Sequence, residues 1–101
     1  MRFLWKISMP VEAGNAAAKN GFQAIERILE QQKPEAAYFY AEDGKRTAIL
    51  IMDMQDVAQI PAIAEPWFLA LNAEIDVTPV MLPADLKKAG PAMVEAIKAH
   101  G

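Results

Sequence analysis

Residues 36–54 read AAYFYAEDGKRTAILIMDM and decide the fold. Two runs rich in aromatic and β-branched residues flank the four-residue turn 42–45 (EDGK). Its Asp-Gly pair favours a two-residue hairpin turn, because both turn positions take positive φ angles. The stretch therefore predicts a β-hairpin of defined register. Its cross-strand pairs are Glu42 with Lys45, Tyr40 with Thr47, and Tyr38 with Ile49.

The segment before the hairpin predicts one strand and one helix. Residues 3–9 (FLWKISM) have the period of two that is typical of a strand. Pro10 and Gly14 are expected to end this strand, and Asn15 can cap the helix that follows. Residues 16–32 place apolar side chains at spacings of three and four, which indicates an amphipathic helix.

The segment after the hairpin predicts a second helix over residues 56–71, disturbed by two prolines. Asp56 and Gln59 have the spacing of a capping box. Pro61 suits the first turn of a helix, whereas Pro66 is expected to kink it.

The order of elements predicts the architecture. Residues 73–80 (AEIDVTPV) alternate again, and residues 84–100 predict a helical tail interrupted at Gly90-Pro91. The resulting β-α-β-β-α-β order is ferredoxin-like: an α+β fold with an antiparallel sheet in the order 4-1-3-2 and its helices on one face. A chain of 101 residues is expected to form a single domain, here with a core at 1–80 and a C-terminal helical tail at 83–100.

Strand alternation divides the predicted sheet into two faces. The covered face, which receives the helices, is apolar throughout and comprises Phe3, Trp5, Ile7, Ala37, Phe39, Ala48, Leu50, Met52, Ile75 and Val77. The open face is mixed and comprises Leu4, Lys6, Ser8, Tyr38, Tyr40, Thr47, Ile49, Ile51, Asp53, Glu74, Asp76 and Thr78. Because the open face is too apolar for water and too charged for a dry core, we expect a second copy to stack on it and form a homodimer. The alternative cover is the chain's own C-terminal helix.

Over residues 1–80 the chain resembles the dimeric α/β-barrel superfamily, through its element order and its two-faced strands. Residues 65–72 (EPWFLALN) and 77–81 (VTPVM) are similar to small uncharacterised bacterial proteins of that architecture. The resemblance implies two ferredoxin-like subunits whose sheets pack into a barrel. It does not choose an activity, because the superfamily holds cofactor-free monooxygenases, muconolactone-type isomerases, haem enzymes and plain ligand-binding proteins.

The composition argues against several classes of function. The net charge is -3 and the cationic residues are scattered, so nucleic-acid binding is not expected. No apolar stretch is long enough for a signal peptide or a membrane span, and the chain has no cysteine, so we expect a cytoplasmic protein without membrane contact. The one histidine, His100, lies next to the last residue, which argues against haem and most transition-metal sites. No cofactor and no metal are predicted.

The open face supplies the candidate functional residues. Lys6 and Asp76 should be neighbours across the first and fourth strands. Asp76 could then move a proton while Lys6 holds an anionic or enolate oxygen. The simpler interpretation is a structural ion pair of Lys6 with Asp76 or Glu74. The other candidate ligand-binding residues are Ser8, Tyr38, Tyr40, Asp53, Glu65, Glu74 and Thr78.

These observations favour a dimeric small-molecule-binding protein. A small organic ligand would occupy a cavity between the sheet and the kinked helix, beside Lys6, Tyr38 and Asp76. The enzymatic form of this hypothesis is proton transfer on a small carbonyl or aromatic compound without a cofactor. The alternative is a non-catalytic interaction or structural module whose sheet face serves only dimerisation.

Overall fold

Four strands and four α-helices make up the chain in this computed structural model, which describes all residues from 1 to 101. The elements are β1 (Arg2–Ser8), α1 (Val11–Lys19), α2 (Gln23–Gln32), β2 (Ala36–Glu42), β3 (Lys45–Asp53), a 3₁₀ turn (Val57–Gln59), α3 (Ile60–Leu71), β4 (Glu74–Val80) and α4 (Pro83–His100). This is the predicted α+β class, compatible with a ferredoxin-like fold that carries an additional C-terminal helix.

The sheet has the predicted strand order and hairpin register. Its order is β2-β3-β1-β4, with every neighbouring pair antiparallel. Glu42 pairs with Lys45 and Tyr38 with Ile49, as the turn requires. Asp43 and Gly44 have φ angles of 53° and 75°, so both take the left-handed conformation of a tight hairpin turn.

The prediction of one helix over residues 16–32 is wrong, because the segment contains two helices. α1 begins directly after Pro10, whose fixed φ angle is compatible with a helix start. Gly21 and Phe22 have φ angles of 68° and 58°, and these left-handed residues separate α1 from α2. Asn15 is not a cap: it lies inside α1, and its Oδ1 accepts a hydrogen bond from Arg46 at 2.7 Å.

Helices α3 and α4 are each continuous across an internal proline, Pro66 and Pro91. The predicted capping box forms, with Asp56 accepting from the backbone of Ala58 and Gln59 accepting from the backbone of Asp56. Pro61 stands in the first turn of α3, as expected, and the helix continues through Pro66. The interruption that the sequence indicated at Gly90-Pro91 is absent, and α4 runs unbroken across it.

The core lies between the sheet and the helices. Most of the predicted covered-face residues are buried, and both tryptophans, Trp5 and Trp67, are fully buried in the core as expected. The exception is β2 at the sheet edge, where Ala37 and Phe39 remain exposed because the helices do not extend over that strand. The edge of the core beside β2 is therefore open.

Helix α4 projects away from the rest of the chain. None of its residues is buried, and the radius of gyration is 17.1 Å, against about 13 Å for a compact domain of this length. The alternative in which α4 covers its own sheet is therefore wrong for the isolated chain. The helix also contains two unfavourable residues: relative to alanine, Pro91 costs about 3 kcal/mol and Gly90 about 1 kcal/mol within a helix. None of the helices combines the length and the hydropathy that a membrane-spanning segment needs.

Candidate functional site

A polar cluster on the open face joins three side chains from two strands that are not hydrogen-bonded to each other. Lys6 on β1 forms an ion pair with Glu42 on β2, reaching across β3. The Tyr40 hydroxyl donates a hydrogen bond to Glu42 Oε1 at 2.9 Å. The Lys6 and Glu42 side chains are each about one third exposed, so the cluster is partly shielded from solvent. Glu42 is its centre, because it accepts from both partners.

The ionisation of the three groups reflects these contacts. The hydrogen bond from Lys6, and then that from Tyr40, lowers the pKa of Glu42 below its ordinary value of 4.5. The hydrogen bond to Glu42 raises the pKa of Lys6 above 10.5, and the same acceptor raises the pKa of Tyr40 above 10.0. At neutral pH the cluster is therefore an ammonium, a carboxylate and a neutral phenol.

The predicted ion pair of Lys6 with Asp76 or Glu74 is wrong. Asp76 is the direct cross-strand neighbour of Lys6, as the sequence indicated, yet the ammonium group is paired with Glu42 instead. Glu42 offers a partly shielded carboxylate supported by Tyr40, whereas Asp76 and Glu74 are exposed on the edge strand β4. The catalytic roles of Lys6 and Asp76 stay predictions.

The other candidate ligand-binding residues are spread over the open face and beyond it. Asp53 forms an ion pair with the amino group of Met1 at 3.2 Å. Tyr38 is 66% exposed in the middle of β2, and Glu65 is exposed on α3, away from the sheet strands. Ser8 and Glu74 form a cross-strand pair, and Leu4 and Thr78 form another farther along the same two strands.

The larger cavity lies elsewhere, between α2 and the uncovered edge strand β2. It has a volume of about 480 Å³ and a mainly apolar lining. The lining residues are Met9, Phe22, Ile25, Glu26, Leu29, Phe39, Tyr40, Ala41, Arg46 and Thr47. Of the candidate site residues only Tyr40 is among them. The expectation of a cavity beside Lys6, Tyr38 and Asp76 is thus not met by this cavity, which opens on the helix side of the sheet.

Arg46 is the cation of this cavity. Its Nη1 donates to Asn15 on α1, and its side chain lies over Gly14, where an added Cβ would stand 3.3 Å from the Arg46 side chain. One hydrogen bond uses only one of the five guanidinium N–H donors. Glu26 on α2 brings a negative charge to the same lining, so the cavity joins an apolar body with one group of each sign.

A second cavity, of about 340 Å³, is a shallow groove between α2 and α3, lined by Ala24, Arg27, Ile28, Gln31, Pro66, Leu69 and Ala70. It touches neither the open-face cluster nor the larger cavity. No group of three or more His, Asp or Glu side chains comes together in a way that could hold a metal ion.

Glu42 and Arg46 are the site residues that the sequence did not indicate. Glu42 was interpreted as the turn partner of Lys45, and that backbone pairing does form. Its side chain nevertheless leans over β3 toward Lys6, a contact between strands that are not neighbours in the sheet. Arg46 gives no signal in the sequence, because its partner Asn15 lies 31 positions away.

Comparisons with known proteins give two distant structural matches and a family. A formyltetrahydrofolate deformylase from Pseudomonas putida KT2440 superimposes with a TM-score of 0.49 and 15% identity, over 79% of this chain and 29% of that one. The formyltetrahydrofolate deformylase from Burkholderia mallei ATCC 23344 gives 0.45 and 15%, over 78% and 28%. This chain thus spans less than a third of either enzyme.

No curated protein matches the sequence. A family model described as "Domain of unknown function (DUF3303)" matches residues 1–94, which is nearly the whole chain. The chain therefore belongs to the DUF3303 family.

Proposed function

We propose that this chain is a homodimeric small-molecule-binding protein that takes a small apolar or aromatic compound in the cavity between α2 and β2. The supporting observation is the cavity itself: about 480 Å³, within the range of ligand sites, and largely apolar. Such a volume at the edge of a small core leaves apolar surface in water, and a ligand would cover it.

The lining supports one chemical class of ligand. Phe22, Ile25 and Leu29 offer an apolar wall, and Phe39 closes it from the strand side. Arg46 can donate to a carboxylate or carbonyl oxygen at one end of the ligand. The best-fitting ligand is an aromatic or short aliphatic acid whose apolar body is buried and whose oxygen atoms meet Arg46.

A thermal-shift screen with aromatic and aliphatic carboxylic acids tests this proposal. A ligand at about 100 times its Kd stabilises the folded state by about 2.7 kcal/mol, which is a melting shift of several degrees. Ala41→Phe should fill the cavity and abolish the shift, because Ala41 lines it. Ala37→Phe is the matched control, since Ala37 is exposed on the same face of the same strand and lies outside the lining.

Arg46→Met measures how much the carboxylate of the ligand contributes to binding, separately from its apolar body. It keeps the apolar stem and removes the guanidinium, so carboxylates should bind at least tenfold more weakly while uncharged aromatic compounds bind unchanged. Arg27→Met, at an exposed position of α2 outside the lining of this cavity, should change neither class. Equal binding of carboxylates to Arg46→Met and to the unmodified chain would contradict the assigned orientation.

The homodimer is proposed through the open face. Tyr38 is 66% exposed there, and Leu4, Ile49 and Ile51 are only half-buried in the single chain. Light scattering should give the mass of two chains at micromolar concentration. A mass of one chain would contradict the dimer and leave the cavity proposal standing.

The rival function is an interaction module without a ligand. It is favoured by the small overlap of the two sites, because Tyr40 and Thr47 are the open-face residues that line the cavity, and the rest of the open face can pair without a ligand. A dimer that shows no thermal shift with any acid would support this rival. The enzymatic form needs a ligand position of its own, because Asp76 lies on the open face of β4 and does not line the cavity. Asp76→Asn should then remove turnover of a carbonyl compound bound on that face while leaving the melting temperature within a few degrees, because Asp76 is exposed.

A further inference from the structure

Helix α4 is the longest element of the chain, and none of its residues is buried. It is 18 residues long and has an apolar stripe of Leu86, Met93, Val94 and Ile97, of which Ile97 is 65% exposed. Isolated helices shorter than about 12–15 residues are marginal in water, and Gly90 and Pro91 divide α4 into two parts that are each shorter than this. Because α4 contains both Gly90 and Pro91, its helical state needs a surface to pack against.

We infer that α4 of each copy packs across the open face of a second copy, so that the two chains exchange their C-terminal helices. This inference rests on the homodimer proposed above and specifies which element of the second copy covers the sheet. Each copy gives one helix and receives one, which is the reciprocal arrangement of a two-fold dimer.

The dimensions of the two surfaces agree. A helix of 18 residues is about 27 Å long, and strands of seven residues are about 23 Å long. The helix therefore spans the sheet from end to end when it lies along the strands. The exposed apolar side chains of α4, together with Tyr38 and Tyr40 of the sheet, offer on the order of 600 Å² of surface per copy. An ordinary stable interface buries about 800 Å² per partner, so the two areas are similar.

The charges of the two surfaces are complementary. Lys87 and Lys98 are eleven positions apart and thus lie on the same flank of α4, beside Val94. Lys98 also forms an ion pair with Glu95 at 3.6 Å, but both side chains are largely exposed, so this pair is weak. On the open face, Glu74 and Asp76 of β4 take part in none of the four ion pairs of the chain. Packing the apolar stripe on the centre of the sheet, with its lysine flank toward β4, brings these charges together. The same acids would repel an acidic partner and disfavour direct stacking of two identical β4 edges.

Cysteine cross-linking tests the exchange, because the chain has no cysteine of its own. One copy carries Val94→Cys on the lysine side of the stripe, and a co-expressed copy of different mass carries Thr78→Cys on the open face of β4. A short bifunctional maleimide should join the two masses in high yield. Ala99→Cys, on the opposite side of α4, is the matched control and should give at least tenfold less product.

Three other outcomes would overturn the inference, and they are distinguishable. Cross-linking of Thr78→Cys only to itself would mean that the sheets stack directly, so the dimer would stand and the helix exchange would fail. Cross-linking within a chain that carries both cysteines, with none between copies, would mean that α4 folds back on its own sheet. A mass of one chain by light scattering would remove both the dimer and the exchange.

A second measurement is independent of cysteine chemistry. Ile97→Glu places a charge in the apolar stripe and should shift the dimer to single chains, with a rise of at least a hundredfold in its dissociation constant. Ala99→Glu adds the same charge on the other side of the helix and should leave the constant within a few-fold. Amide exchange of residues 83–100 should slow with protein concentration in the unmodified chain. An equal effect of the two substitutions, or exchange that is independent of concentration, would contradict the inference.

Discussion

The two faces of the same sheet differ more than their compositions suggest. Leu50 and Ile49 are adjacent on β3, yet Leu50 is fully buried under the helices and Ile49 is only half-buried on the open face. Thr47, the buried residue among the open-face positions, is polar and donates to the carbonyl group of Lys45. The comparison shows that the covered face stabilises the single chain, whereas the open face keeps apolar side chains partly exposed to solvent.

The largest effect should come from truncating these two neighbours in turn. Leu50→Ala is expected to cost about 2–5 kcal/mol of unfolding free energy, because it leaves a cavity in the core. Ile49→Ala should cost about 1 kcal/mol at low protein concentration and more where the dimer forms, because only association buries the open face. Urea unfolding at two protein concentrations measures both changes. A loss for Ile49→Ala that does not depend on concentration would mean that the open face stays bare.

The core beneath the covered face contains two unequal tryptophans, Trp5 on β1 and Trp67 on α3. Trp67 Nε1 donates to Gln32 at 3.1 Å, and Gln32 in turn donates to the carbonyl group of Ile63 at 2.9 Å. Trp5 is equally buried, but its indole N–H has no hydrogen-bond partner. One tryptophan thus anchors α2 to α3 through a polar contact, while the other contributes only its apolar surface.

Phenylalanine substitutions should separate these roles. Trp67→Phe removes the donor and leaves Gln32 Oε1 unsatisfied, so it should destabilise the chain by about 1–2 kcal/mol more than Trp5→Phe. Trp5→Phe loses a similar volume and also removes a buried unpaired N–H. Thermal unfolding of the two variants and of Gln32→Met measures the difference. A larger loss for Trp5→Phe would indicate an acceptor for its indole group.

The sequence predicted what depends on local pattern and missed what depends on distant partners. The Asp43-Gly44 turn determines the hairpin register, and the β-α-β-β-α-β order of elements predicts the sheet order, so the neighbours of Lys6 were found correctly. The two helices before the hairpin were merged, because left-handed conformations at Gly21 and Phe22 leave little trace in an apolar pattern. The Lys6–Glu42 pair and the Arg46–Asn15 contact were missed because both join groups far apart in sequence, and side-chain reach decides them.

The smallest predicted effect concerns pH and the polar cluster of the open face. The pKa of Glu42 is lower in the folded chain than its ordinary value of 4.5, so its contribution to stability is fully present above that value. This contribution is lost as the pH falls through the lowered pKa of the folded state. The Glu42→Gln variant has no carboxylate at this position and therefore no such contribution to lose. Its unfolding free energy should fall less steeply than that of the unmodified chain below about pH 4.5.

Glu12→Gln is the control, since Glu12 is exposed on α1 and takes part in no ion pair. Urea midpoints measured between pH 3 and 6 should run parallel to those of the unmodified chain for this variant and diverge for Glu42→Gln. Parallel curves for both would mean that water screens the Lys6–Glu42 pair completely. Divergence would show that even the uncovered face of the single sheet has an ordered interaction, on which a second copy can build.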